Sequence, residues 1–317
     1  MTPISASQQH SSSGVISFWL RASRFQFFTA SVVPVLVGGS VAYWETGTVL
    51  WGYWLATLIA LVLLHAAANL ANDYYDHLSR NDEINVEFIS PFTGGSRFIQ
   101  KQLTSPISIL IAALACLAAG SGIGLILVWL RGWPILVLGV VGGLSGFFYT
   151  ADPLRLGYRG LGEIFIFLDF GILPVLGTYY VQTQQFSGAA WAAAIPVAFL
   201  IAAVLWINQF PDYQADLAVD KKHWVVRLGR RRACYVYAAE LLLALLVVPV
   251  FVALDWLPPL TLLALLPVPL AISAMRTAFR HYDQPEKLLP ANVGTIVIHL
   301  TVGLLLALGL VLSHLAT

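Results

Sequence analysis

The sequence predicts an all-α integral membrane protein with nine transmembrane helices in a bundle, and three observations carry that expectation. Of 317 residues, 58% are hydrophobic and only 10% are charged, a balance foreign to water-soluble globular domains. Apolar runs of about 20 residues recur from end to end, each long enough to cross about 30 Å of hydrocarbon. The basic residues, finally, are divided unequally between alternate connections. The formal charge of +1 and the lack of a basic stripe interleaved with aromatics leave nothing that points to nucleic acid. Cys116 and Cys234, the two cysteines, give neither a disulfide framework nor a metal spacing and read as small core residues.

Residues 1–15 are polar and rich in Ser and Gln, with no basic segment ahead of a short apolar core. They read as a disordered tail, not a cleaved signal peptide. Residues 16–317 then form a single nine-helix domain. Spans are expected near 18–43, 51–74, 105–129, 133–151, 161–181, 188–209, 233–254, 258–279 and 289–314. Connections after the odd spans are short, and of 17 Lys and Arg only Arg131 falls in them; the other 16 lie on the opposite side. By the positive-inside rule, the N-terminus and the four longer loops are cytoplasmic and the C-terminus lies outside, in a cell (inner) membrane.

Two polar arrays sit on that cytoplasmic side. Asn69-Leu70-Ala71-Asn72-Asp73-Tyr74-Tyr75-Asp76 closes the second apolar run, with Asp82 beyond it. A charge at the centre of a membrane helix costs about 2.5–3.5 kcal/mol, and less near the interface. Asn69 and Asp73 are four apart, as are Asn72 and Asp76, so each pair shares a helix face. After span six, Asp212, Asp216 and Asp220 follow the same spacing on a helix opened by Pro211. Either a divalent cation or Lys221 and Lys222 would neutralise that face; a solvated helix end is the plain alternative. Asn208 and Asp212 repeat the Asn-x-x-x-Asp spacing of Asn72 and Asp76.

Carboxylate and carboxamide oxygens are hard ligands that suit Mg²⁺. Two such sets facing each other could hold two Mg²⁺ ions and clamp the diphosphate of a phosphorylated lipid, with Arg24, Arg97, Arg155 and Arg159 completing the cradle. The apolar interior would take the hydrocarbon tail. Tyr74, Tyr75, Tyr149, Tyr158 and Tyr213 could stabilise an allylic cation, or simply belong to the interfacial aromatic belt. His65, Glu163, Asp169, Glu240 and His299 fall within expected spans, where ionisable residues are functional candidates by default. Satisfied core histidines and a snorkelling Glu240 are the competing readings.

These motifs resemble those of the UbiA-type intramembrane prenyltransferases. Within that family, the stretches Asn69–Asp76, Tyr158-Arg159-Gly160-Leu161-Gly162-Glu163, Phe170–Tyr180 and Val226-Arg227-Leu228-Gly229 are most similar to the 1,4-dihydroxy-2-naphthoate polyprenyltransferases of menaquinone synthesis. The resemblance implies a central cavity open to the cytoplasmic side and to lipid. It also implies Mg²⁺-dependent transfer from polyprenyl diphosphate to an aromatic acceptor, here 1,4-dihydroxy-2-naphthoate, giving demethylmenaquinone with loss of CO₂. Other acceptors of the family are 4-hydroxybenzoate, a chlorophyllide and haem. A transporter or a non-catalytic lipid-binding membrane protein is the reading from another class, but a transporter would place its charges nearer the midplane.

Carried over residue by residue, Asn72, Asp76, Asp212 and Asp216 resemble the metal–diphosphate ligands, with Asp76 and Asp212 in the catalytic role. Arg24, Asn69, Asp73, Asp82, Arg97, Tyr149, Arg155, Asn208 and Asp220 are implied to bind diphosphate or substrate. The chain departs from many relatives at Arg80, where they carry a third Asp, and at Arg24-Phe25, where they carry Arg-Pro.

Overall fold

The computed structural model describes residues 12–316, and no strand occurs among them. Residues 1–11 of the expected tail lie outside the described residues, whereas residues 12–15 form the first turn of a helix. That helix, α1 (Ser12–Ala22), is followed by α2 (Thr29–Thr46), α3 (Trp51–Leu78), the short α4 (Asn81–Ile84), α5 (Pro106–Arg131) and α6 (Pro134–Phe148). Next come α7 (Gly162–Phe167), a π-helical turn over Leu168–Ile172, and α8 (Leu173–Thr183), which together make one rod. The chain then runs through α9 (Gly188–Ala218), α10 (Trp224–Leu228), α11 (Arg230–Ala253), a 3₁₀ segment at Pro259–Leu265, α12 (Val268–His281) and α13 (Leu289–Leu315).

Eight of these segments are long and apolar enough to cross a membrane. The remaining expected span, 133–151, is the 15-residue α6, about 22 Å at 1.5 Å per residue and short of about 30 Å of hydrocarbon. The first expected span also starts later than the sequence suggests. Arg24 takes a left-handed conformation (φ 58°), which ends α1, and the apolar rod begins at Phe25. Asn69 explains how the break is tolerated: its Nδ2 donates to the Ser23 carbonyl at 2.9 Å, satisfying a group freed at the helix end.

The core is α9, with 78% of its apolar window buried, against 17% for α5. Its Ala-rich first turns (Ala190, Ala192, Ala193, Ala194, Ala198, all fully buried) let neighbouring backbones approach closely on every side, as small residues do at membrane helix contacts. A Cβ on Gly171, in the π-helical turn, would lie 2.3 Å from Ala198 Cα; only glycine fits there. The same cluster joins α2, α8, α11, α12 and α13. By contrast, α5 packs along α3 through Gly120, whose Cβ would sit 3.0 Å from the Ala60 carbonyl oxygen, and turns most of its side chains outward.

Helix α9 also corrects the expected boundary at Pro211, which does not open a new helix but lies inside one of 31 residues. Proline removes the hydrogen bond to the carbonyl four residues back, here that of Ile207. Asn292 of α13 replaces it, its Nδ2 donating to Ile207 O at 3.2 Å and to Asn208 Oδ1 at 2.7 Å. The helix therefore continues to Ala218, and Asp212 and Asp216 remain on it.

Candidate active site

The ends of α3 and α9 meet at one end of the bundle, with α4 and the 85–105 segment folded over them. Asp73 and Asp76, one turn apart on α3, are both buried. Both Asp73 oxygens accept from Ser96 N at 3.2 Å. Asp76 Oδ2 accepts from Asn72 Nδ2 at 3.0 Å, while its buried Oδ1 has no donor. On α9, Asp212 Oδ1 accepts from Asn85 Nδ2 at 2.6 Å and Oδ2 from Gly94 N at 3.4 Å. Asp216 is saturated: Oδ1 takes Asn81 Nδ2 at 3.0 Å and Lys221 Nζ at 3.3 Å, and Oδ2 meets His223 Nε2 at 2.9 Å. Asn81 and Asn85, flanking α4, thus tie the first array to the second.

The segment over the top depends on Gly94 and Gly95, both at φ 72°. A Cβ on Gly95 would fall 2.6 Å from Asp82 Oδ2 and 3.1 Å from Asp73 Oδ1, so the loop passes between two carboxylates only as glycine. Arg97 points inward, donating to the Asp82 carbonyl and to Asn85 O at 2.8 Å, with its guanidinium 3.9 Å from the Phe88 ring centroid. Asp82 Oδ2 accepts from Gln100 Nε2 at 3.2 Å. Burial, reinforced by the like charges of Asp76 and Asp73, pushes the Asp82 carboxyl up to about 8 against the pull of Arg97 and Arg24. At Lys221, burial works against the ammonium, yet the carboxylates of Asp216 and Asp76 outweigh it and hold the amine well above the usual lysine range.

The remaining expected residues divide. Arg24 reaches over the site to donate from Nη2 to Phe92 O at 3.0 Å, leaving its buried Nε without an acceptor. Tyr149 lies under Gly162, where a Cβ would sit 3.1 Å from its hydroxyl. Arg155 stacks 3.9 Å from the Tyr158 ring, and Lys221 Nζ is 5.5 Å from the same ring. Asn69 and Asn208 are not brought in; they tie α3 to the N-terminal segment and α9 to α13. Asp220 is not brought in either: it sits beyond α9 at φ 57°, exposed, and pairs with Lys222 at 2.7 Å. The helix ends two residues earlier, so the expected third carboxylate turns away. Glu163 instead anchors the neighbouring loop, Oε1 accepting from Gln209 Nε2 at 3.2 Å and Trp224 N at 3.0 Å. His65 meets Ser31 Oγ at 3.0 Å, and Asp169 accepts from Ser145 Oγ at 2.6 Å, both deeper in the bundle.

Sequence reasoning missed Asn81, Asn85 and His223. The two asparagines are four apart, the same spacing as Asn72 and Asp76, and that was the available signal; His223 carried none. Among the described residues, no three His, Cys, Asp or Glu side chains converge to hold a metal alone. What the site does hold is a set of buried oxygens without donors: Asp76 Oδ1, Asn81 Oδ1 and Asn85 Oδ1. Buried polar atoms are rarely left unpaired, and hard oxygens of this kind fit Mg²⁺, which shares its coordination with water and phosphate.

A sequence profile of the UbiA prenyltransferase family matches residues 31–296. The chain is 30% identical over 296 residues to the 2-carboxy-1,4-naphthoquinone phytyltransferase of Synechocystis sp., covering 92% of each chain. It is 32% identical to the 1,4-dihydroxy-2-naphthoate octaprenyltransferase of Mycobacterium tuberculosis, covering 81% of this chain and 84% of that one. The fold superposes on a UbiA homologue from Archaeoglobus fulgidus, solved with GPP and Mg²⁺, with a TM-score of 0.60 at 15% identity, covering 91% of this chain and 99% of that one. All-helical architecture and a profile match across most of the chain lead to one conclusion: this protein belongs to the UbiA prenyltransferase family.

Proposed function

We propose that the protein transfers a polyprenyl group from polyprenyl diphosphate to 1,4-dihydroxy-2-naphthoate at the cluster between α3 and α9. The observation that carries this reading is the set of donor-less buried oxygens on Asp76, Asn81 and Asn85, at the one end of the bundle where both acidic arrays meet. The acceptor rests on the names of relatives that match four-fifths or more of the chain, two of them named for 1,4-dihydroxy-2-naphthoate and one for 2-carboxy-1,4-naphthoquinone.

Asn72, Asp76 and Asp212, with Asn81 and Asn85, would hold Mg²⁺, and Asp216 would hold Lys221 beside them. Bound there, Mg²⁺ supplies charge neutralisation to the diphosphate. Lys221 and Arg24, whose charges both act on Asp76, orient the diphosphate oxygens and stabilise them as negative charge develops. The allylic C–O bond breaks with both electrons leaving on diphosphate. The ring carbon bearing the carboxylate gives an electron pair to the prenyl carbon. The C–CO₂⁻ bond then breaks, its electrons restoring the ring as CO₂ departs. Tyr149 lines the wall near Glu163 and Lys221, where an aromatic face could stabilise the allylic cation.

Purified protein given Mg²⁺, polyprenyl diphosphate and a panel of ring acceptors should yield the prenylated, decarboxylated naphthol product by mass spectrometry. Turnover of 4-hydroxybenzoate with none of the naphthoate would leave the reaction class standing and remove the acceptor.

We also infer that α6, extended by residues 149–151, completes nine crossings, with the active site facing the cytoplasm. The asymmetry of basic residues supports it. In a variant lacking Cys116 and Cys234, a cysteine at Gln184 should react with an impermeant maleimide in intact cells, and one at Lys222 should not. The opposite labelling pattern would reverse the orientation.

A further inference from the structure

We propose that a cleft on α12, lined by none of the residues of the acidic arrays, binds the headgroup phosphate of an anionic phospholipid. The cleft has a volume of 220 Å³ and is lined by Pro269, Ser273, Arg276, Thr277, Arg280 and His281. Ser273 and Thr277 are four apart, as are Arg276 and Arg280, so all four share one helical face. No acidic side chain lines it.

The two arginines differ from Arg97, Arg227 and Arg230, whose guanidinium groups are engaged within the protein. Arg97 clasps the carbonyls of Asp82 and Asn85, Arg227 those of Lys222 and Arg159, and Arg230 pairs with Glu87. Arg276 and Arg280 make no ion pair or side-chain hydrogen bond among the described residues. Asp283 and Glu286, in the following turn, pair with neither. Two guanidinium groups one turn apart therefore keep all their N–H donors free, in the fork geometry that matches phosphate oxygens.

Position fixes the kind of ligand. Arg230, at the start of α11, donates from Nε to Phe210 O at 2.8 Å, two residues from Asp212. One turn on, Cys234 Sγ lies 3.5 Å from Ala278 O of α12. Arg276 to His281 are thus at the same end of the bundle as the acidic arrays, where spans emerge from hydrocarbon. Along α12 and just ahead of it, Leu266, Leu270, Ile272 and Phe279 are exposed. A phosphate carried on acyl chains meets both surfaces; free phosphate meets only the arginines. Basic side chains at the membrane surface attract anionic headgroups in this way.

The test is native mass spectrometry of the delipidated full chain, titrated with dioleoylphosphatidylglycerol, dioleoylphosphatidylcholine or inorganic phosphate. The wild type should bind phosphatidylglycerol in clear preference to phosphatidylcholine. Arg276→Gln with Arg280→Gln should weaken phosphatidylglycerol binding by about 20-fold, and either single change by about fivefold, so a double variant that fails to fold leaves two readable singles. Equal affinity for the two lipids, unchanged binding in the variants, or displacement of the lipid by inorganic phosphate at matching concentration would each overturn the proposal.

Discussion

Asp76→Asn and Asp212→Asn should each lower the rate of prenyl transfer by about 10²–10³-fold, the usual loss when a preorganised electrostatic contact to a developing charge is removed. Both substitutions keep side-chain size and remove one negative charge. Local structure should tolerate them. An amide at 212 can turn its NH₂ toward Asn85 Oδ1, which has no donor. At 76, Asn72 can present either end of its own amide across the same 3.0 Å contact. The thermal midpoint in detergent should therefore move little, and raised Mg²⁺ should recover part of the Asp76→Asn loss. Folded variants that transfer prenyl groups at near-native rates would remove both residues from the site.

Asp216→Ala should behave differently, with lost stability as its leading effect. Asp216 is 2% exposed, and its three partners, Asn81, Lys221 and His223, use both oxygens. Alanine would strand an ammonium and two N–H groups in a buried space. Breaking a buried ion pair from one side typically costs about 3–5 kcal/mol, which corresponds to a fall of roughly 10 °C in the thermal midpoint. Activity should fall too, because Asn81 and Lys221 would lose their anchor. A midpoint equal to wild type, with activity alone reduced, would mean that Asp216 serves only as a ligand.

The two aspartates of α9 show how far the sequence could be read. Apolar length placed most spans within a few residues, but it started the first seven residues before Phe25 and ended the sixth nine residues short of Ala218; the cost of acids at helix ends singled out Asp76, Asp212 and Asp216. Local spacing could not show that Asp220 leaves the helix, because the decisive event is the end of α9 at Ala218. Nor could it show that the helix survives Pro211, since the rescuing amide of Asn292 comes from α13. Asn81 and Asn85 were hidden for the same reason: their partners lie 135 and 127 residues away. Residues whose role is set by chain-distant contacts stay silent in a window of spacing, whereas those whose role is set by cost in the membrane do not. Arg97 is an intermediate case: legible as a cation near the site, it turns out to hold the segment over α4 in place.

The length of α9 bears on how a greasy substrate is handled. Its 31 residues extend about 46 Å, well beyond about 30 Å of hydrocarbon, and the acids sit in its final turns. A donor can therefore present its diphosphate at the level of the lipid headgroups while its tail stays among acyl chains. Lifting that tail into water would require about 0.8 kcal/mol per methylene, or roughly 4 kcal/mol for each five-carbon unit. A chain of several units could not be extracted on any useful timescale, so bringing the acids to the leaflet surface replaces extraction with sideways diffusion in two dimensions.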